Sequence, residues 1–486
     1  MPYNHGIAVR EEATAITAPI EGTAGLQVIV GTAPVYQLSN PSAAVNKPII
    51  AYSYAEAVEQ LGYSDDWESF TLCQSIYACF KVFNVSPIIL INVLDPSDAD
   101  HIAAFSMASA DVASHKVKFT SKYVLAGSLT VKDAEEHTLT AGTDYDVTYD
   151  DEGYGTLTLI STSTYYNATT LTIGGSKLNP AGVTASDVIG GYNASTGAYT
   201  GLGCVDQIYP KFNMTPGLLL APGYSHDATV AAALVAATEN INGSFKAMTI
   251  IDLNSTTYKT YSSISDAKTA IGVTSPNAVL VWPKVVVGSL TFFMSAMMGA
   301  LIAYTDASND DVPYMSPSNK DFRITGLVDG AGAEVTIDQQ QANMVNSFGV
   351  VTAINVEGWK SWGNNTAVFP SSTDPKDRWI ACRRFFSWWG NSFILTYFQK
   401  VDNPANFRLI QSIVDSENIR GNSYVAQGKV AAAYITFNED ENPITDILNG
   451  EIKFHMFLAP YVPAEYIENT LEFDTNALKT ALNGGE

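Results

Sequence analysis

Apolar and polar positions change their period several times along this chain, and each change predicts a different kind of element. Residues 1–25 are polar and extended, with Ile7 and Val9 alternating with Ala8 and Arg10. Residues 26–30 then form a largely apolar strand ended by Gly31-Thr32-Ala33-Pro34. A strand near Ile49-Ile50, helices near 54–61 and 72–83, and an apolar strand over 88–93 follow. Strands alternating with helices predict an α/β sheet.

The rhythm breaks near residue 114. Residues 114–179 are rich in Thr, Tyr, Gly and Asp, with period-two runs at 157–160 and 171–173 and a hairpin turn at Asp150-Asp151-Glu152-Gly153. That reads as an all-β insert. The α/β alternation then returns with a strand over 217–222, a helix capped by Ser225, strands over 248–253 and 278–281, and a helix over 289–304.

Helix starts are clearly marked in the last third. Asp338 and Gln341 are spaced as a capping box, and Asp374-Pro375 and Asn403-Pro404 each place a cap before a first-turn proline. In the helix after Asp374, residues Trp379, Cys382, Phe386, Trp389, Phe393 and Tyr397 recur every three or four positions as a buried stripe. Arg384 lies nearly opposite that stripe and is expected to face outward. Near the end, Ile467, Leu471 and Phe473 alternate with Glu468, Thr470, Glu472 and Asp474. A period of two without a neighbouring hairpin turn describes a strand whose partner lies elsewhere. A surface strand within its own domain is the rival reading.

The expected fold class is therefore α/β (α+β) and multidomain, with mixed α/β core domains, an all-β inserted domain and extended terminal arms. The divisions are an N-terminal arm over 1–25, an α/β middle part over 26–113 and 181–345, the insert over 114–180, a C-terminal core over 346–463 and a C-terminal arm over 464–486. A length of 486 residues suits several domains rather than one core.

Composition narrows the class. The net charge of −23 is unevenly spread: residues 1–356 carry 15 Lys/Arg against 33 Asp/Glu, whereas residues 376–429 carry eight against four. An acidic body argues against nucleic acid or anionic lipid as the main partner. The basic island, including Lys376, Arg378, Arg383 and Arg384, is either a surface for an acidic protein or a solvated helix face. Residues 285–304 hold no charge and are long enough to cross a bilayer. Thr291, Ser295, Gly299 and Ala303 nevertheless recur every four residues, a small-residue stripe that suits close packing in a protein core. A membrane-anchored surface protein is the competing reading of that segment.

Candidate chemistry is sparse. No phosphate-binding loop and no G-x-S-x-G elbow occurs, and the six histidines show no paired metal spacing. Cys73, Cys79, Cys204 and Cys382 are scattered among apolar residues and read as buried thiols of a protein made in the cytosol. The start, Met1-Pro2-Tyr3-Asn4-His5-Gly6, lacks signal-peptide features. Asp144, Asp146, Asp150, Asp151 and Glu152 lack the glycine a calcium loop requires, and Asp252 reads as a lone loop carboxylate after a strand. No catalytic, metal or cofactor set emerges. An α/β enzyme with a carbohydrate-binding β insert stays open as an alternative.

Several short motifs do stand in a telling order. They are His5-Gly6-Ile7-Ala8-Val9, Asn46-Lys47-Pro48, Asp187-Val188-Ile189-Gly190-Gly191, Ser316-Pro317-Ser318-Asn319-Lys320, Trp362-Gly363-Asn364 and Pro463-Ala464-Glu465. Their order resembles the contractile tail sheath family of phage tails, R-type bacteriocins and contractile injection systems. Asn365 departs from it, standing where many members have arginine. The resemblance implies a non-enzymatic structural subunit, made in the bacterial cytoplasm and assembled in the tail of a virion or phage-tail-like particle. Its partners would be further copies in helically stacked hexameric rings, an inner tail tube protein, and baseplate and tail terminator proteins. Neither cofactor, nucleic acid nor membrane insertion is implied. Ile7, Val9, Ile467, Leu471 and Phe473 would lie on arms that add strands to neighbouring subunits. Lys376, Arg378, Arg383 and Arg384 are the candidates to face the tube, and Pro317, Ser318, Asn319, Trp362, Gly363 and Asn364 carry the family's core turns.

Overall fold

In the computed structural model residues 23–484 are described, so the arm positions Ile7 and Val9 lie outside the described residues. The middle of the molecule is an eight-stranded sheet. Its strands are β1 (Gln27–Gly31), β2 (Ile49–Ala51), β3 (Ile88–Asn92), β4 (Leu218–Leu220), β5 (Met248–Asp252), β6 (Ala278–Val281), β7 (Val350–Asn355) and β8 (Trp359–Trp362). The spatial order is β2-β3-β1-β4-β5-β6-β7-β8, parallel from β3 to β7 with an antiparallel strand at each edge. The central runs QVIVG, IILIN and MTIID are buried at every residue, as a sheet covered on both faces demands.

Helices α1 (Tyr54–Leu61), α2 (Thr71–Tyr77), α3 (Ala228–Glu239), α4 (Met294–Ala307) and α5 (Gln339–Ser347) cover that sheet. Helix α4 is apolar around nearly its whole circumference and is buried almost end to end. Gly299 lets it approach: a Cβ there would sit 2.6 Å from Gln27 Oε1 and 2.8 Å from Leu220 Cδ2. The uncharged segment 285–304 is thus two short strands, Lys284–Val287 and Leu290–Phe292, followed by α4. Thr291 falls in a strand, so the small-residue stripe begins at Ser295. Among the described residues no helix is long and apolar enough to cross a membrane.

Asp252 proves to be a structural node. Its buried carboxylate accepts from Ser225 Oγ (2.9 Å) and from Ser295 N (2.9 Å), so it satisfies a free N–H at the start of α4. This use of Ser225 corrects its expected capping role; Asp227 caps α3 instead, accepting from Thr229 N at 2.8 Å.

The all-β part opens at Ile102 rather than near residue 114. Strand Ile102–Asp111 runs antiparallel to Thr170–Leu178, closing one sheet of four strands, and a sheet of three packs against it. Phe105, Val117, Phe119, Leu157, Leu171 and Ile173 form a core of their own. Tyr123 and Tyr149 join it to the middle sheet, their rings 5.4 Å and 4.9 Å from Tyr36.

The C-terminal part combines α6 (Ile380–Tyr397) and α7 (Phe407–Ala426) with the hairpin β9 (Val430–Thr436) and β10 (His455–Pro460). Phe385, Trp388, Trp389 and Tyr424 centre its separate core. The expected capping box at Asp338 is present, and Asp374 caps a short helix that carries Pro375. The cap expected at Asn403 is displaced to Asn406, whose side chain accepts from Leu409 N at 3.0 Å.

Candidate functional site

The two family-like turns meet at one edge of the sheet. Strand β8 would expose a row of unpaired N–H and C=O groups, an invitation to unwanted pairing. The 316–322 segment covers it: Asn319 N donates to Ser361 O (2.7 Å), Ser361 N to Lys320 O (3.1 Å) and Phe322 N to Trp359 O (3.0 Å). Side chains fasten the strap. Ser361 Oγ donates to Pro317 O (2.5 Å), Gly363 N donates to Ser318 Oγ (2.9 Å), and Ser316 Oγ bonds Asn364 Oδ1.

Gly363 has φ near 140°, and a Cβ there would lie 2.9 Å from Asn346 Nδ2 and 3.0 Å from Val351 Cα. Only glycine fits that bend. Trp362 in turn donates from Nε1 to Asn343 Oδ1 (3.1 Å) and accepts at its carbonyl from Asn346 Nδ2 (2.9 Å). Pro317, Ser318, Asn319, Trp362, Gly363 and Asn364 therefore act as one lock on the sheet edge.

Beside this lock lies a cleft of about 650 Å³, walled on its far side by residues 461–466, where the chain leaves β10. Arg378 holds that segment. Its Nη2 donates to Glu465 Oε2 (2.8 Å), its Nε donates to Asn365 Oδ1 (2.8 Å), and its guanidinium lies over Trp379 (4.0 Å) and Phe369 (4.4 Å).

Beyond Tyr466 the described chain has no helix or strand through Asp474 and makes no ladder with the body; α8 (Thr475–Leu482) follows. Ile467, Leu471 and Phe473 are 84%, 88% and 71% exposed. Phe398, Val401, Phe407, Ile444 and Leu448 are exposed as well. Large apolar side chains left in water mark contact surfaces.

The basic candidates fare differently. Lys376 is partly exposed, 3.6 Å from Asp377. Arg383 donates to Asn277 Oδ1 (2.7 Å) and lies 3.4 Å from Asp377 Oδ1. Arg384 does not face outward. It is buried, paired with Asp306 at the end of α4 (Nη1 to Oδ1, 2.9 Å), and it donates to Ala24 O (2.9 Å). The expectation failed because α6 packs on two cores at once, so the side opposite its aromatic stripe meets the α/β body rather than solvent. Burial pushes the Asp306 carboxyl above the usual carboxylate range, and Arg384 pulls it back. Deeper in this region Glu417 and Arg420 form a second buried pair, 3.6 Å apart, with the guanidinium over Trp389 at 4.1 Å; burial raises the Glu417 carboxyl as well.

No family model matches the chain. Among individual proteins, it is 27% identical to the tail sheath protein of Burkholderia phage BcepMu, over 99% of each chain. That alignment runs through every part described above. Over its full length the chain is similar to a contractile tail sheath protein. The major tail sheath protein of Serratia phage KSP20 is a more distant relative, 23% identical over 58% of this chain and 70% of the relative. Among solved structures, a chain of the anti-feeding prophage baseplate superposes with a TM-score of 0.58 at 14% identity, covering 98% of this chain and all of that one. A chain of the contracted sheath complex of the PVC extracellular contractile injection system gives the same figures. At that identity the structures establish the shared fold.

Sequence reasoning missed Asp306, Glu465 and Ala24 O as partners of the arginines. One signal was present: Asp306 is the lone acid closing a helix that is otherwise apolar.

Proposed function

We propose that this protein is the structural subunit of a contractile sheath, made in the bacterial cytoplasm and polymerised as helically stacked rings in the tail of a virion or phage-tail-like particle. Full-length similarity to a tail sheath protein supports the sheath role. The observation that carries the mode of assembly is the C-terminal segment, with alternating apolar and polar positions, exposed, and without a ladder partner among the described residues. Such a ribbon is completed by the sheet of another copy, with main-chain groups supplying bonds and alternate side chains the register. About five ladder bonds at roughly 1 kcal/mol net make each arm a modest tether, and many arms in a lattice hold subunits together while their bodies rotate. Head-to-tail contacts of this kind do not close and so build a filament.

An inner tube protein, a baseplate and a tail terminator are the further partners in this reading. The extended sheath is a kinetic trap that the baseplate releases, after which bodies repack without nucleotide hydrolysis. Negative-stain microscopy of the purified chain should show helical tubes. Removing residues 464–486 should leave a folded, unassembled protein; a truncated chain that polymerises as readily as the intact one overturns the strand-exchange reading.

A further inference from the structure

Two arginines six positions apart, one just before α6 and one in its first turns, hold residues near the two ends of the described chain. On the N-terminal side, Arg384 grips Ala24 O and Asp306 together, and Thr23 N donates to Thr215 Oγ1 at 3.2 Å. On the C-terminal side, Arg378 grips Glu465, and Cys382 Sγ lies 3.8 Å from Tyr461 O. The two grips differ in kind. The side chains of Arg384 and Asp306 are 4% and 2% exposed, whereas those of Arg378 and Glu465 are 22% and 38% exposed. The first is sealed in the core. The second is open to water and to screening by salt.

We propose that Arg378, just ahead of α6, is a positioning residue that sets the direction in which the C-terminal arm leaves. This rests on the strand-exchange reading given above. The reasoning is one of local concentration. An arm of about eight residues beyond its root reaches roughly 26 Å at 3.3 Å per residue. A root free to pivot spreads its tip over a wide volume and lowers the effective concentration at the neighbour's sheet; a clamped root keeps it high. A positively charged residue that sequence alone assigns to a tube-facing patch thereby serves the chain's own end. Of the two grips, the Arg378–Glu465 pair is the one that opens first when salt rises.

The test uses the full chain with Glu465→Lys, Arg378→Glu, and the two changes combined. Hydrogen exchange over residues 461–466 is measured on unassembled protein, and polymerisation is measured by sedimentation. Each single change should speed exchange across 461–466 and raise the concentration needed for polymerisation by on the order of tenfold. The double change should move both readouts back toward the native values, and the melting temperature of the body should stay constant throughout. Unaltered exchange in both single variants overturns the latch. Exchange restored in the double variant without recovery of polymerisation also overturns it, since Arg378 or Glu465 must then touch a partner directly. If the native chain does not polymerise at all, the strand-exchange reading and the positioning role fall together, while the exchange data still decide whether the latch exists.

Discussion

Replacing Arg384 with methionine probes the sealed grip most directly. Methionine keeps the apolar stem and removes the guanidinium, leaving Asp306 buried without its cation and Ala24 O without its donor. Removing one partner of a buried ion pair costs about 3–5 kcal/mol, because the remaining charge stays desolvated. Adding Asp306→Asn removes that charge, so the double variant should recover about 2–3 kcal/mol of the loss, a coupling of the size that touching residues show.

The pH dependence has a defined sign. The folded-state pKa of Asp306 is already raised by burial, and without Arg384 it rises further. A carboxyl with a raised folded-state pKa binds its proton more tightly in the native state. Its penalty is absent below the ordinary carboxylate range and grows as pH climbs through and above it. The Arg384→Met defect should therefore be milder near pH 5 than near pH 8, relative to the native protein at each pH. Urea unfolding followed by tryptophan fluorescence reads this region, since Trp388 and Trp389 lie in the same core. A midpoint drop of about 1 M or more is expected at pH 8. A loss under about 0.5 kcal/mol, or single costs that simply add in the double variant, would show that the pair is not coupled and would refute the reasoning.

Other outcomes follow from the same geometry. Gly363→Ala should cost about 1–3 kcal/mol by forcing a side chain onto a backbone bend with φ near 140°, read as a lowered melting temperature. The four cysteines should resist a thiol reagent until denaturant is added, because burial pushes Cys73 and Cys79 up to about 12 and Cys204 and Cys382 up to about 11; rapid native labelling would contradict that. Glu417→Ala should destabilise by about 3–5 kcal/mol, whereas Glu417→Leu combined with Arg420→Met should be neutral or stabilising in the same urea assay. Leu471→Asp with Phe473→Asp should leave the melting temperature unchanged and suppress tube formation, because both side chains are exposed in the single subunit.

Local pattern carried much of the fold. Short, mostly apolar runs marked β1, β3, β5 and β6, and the spacing over 54–61 marked α1 at its observed bounds. Where the deciding interaction lay within a few residues, as in the Asp338–Gln341 box or the Asp150–Gly153 turn, reading and structure agree. Where a residue had a distant claim on it, they part. Ser225 serves Asp252, twenty-seven positions away, instead of its own helix. The β part begins at Ile102 because its strand pairs with Thr170–Leu178, a register no local window contains.

By itself, then, the amino-acid order determined most strands and helices of the central α/β part, and that the tail has one apolar edge with nothing beside it to pair with. Those properties follow from backbone period and side-chain polarity, which act over a few residues. Only the three-dimensional packing decided where the charges of α6 go. Arg384 meets a carbonyl 360 positions earlier in the chain and a carboxylate 78 positions earlier. A helix wedged between two cores has no solvent face at that point, and periodicity cannot reveal how many neighbours a helix has.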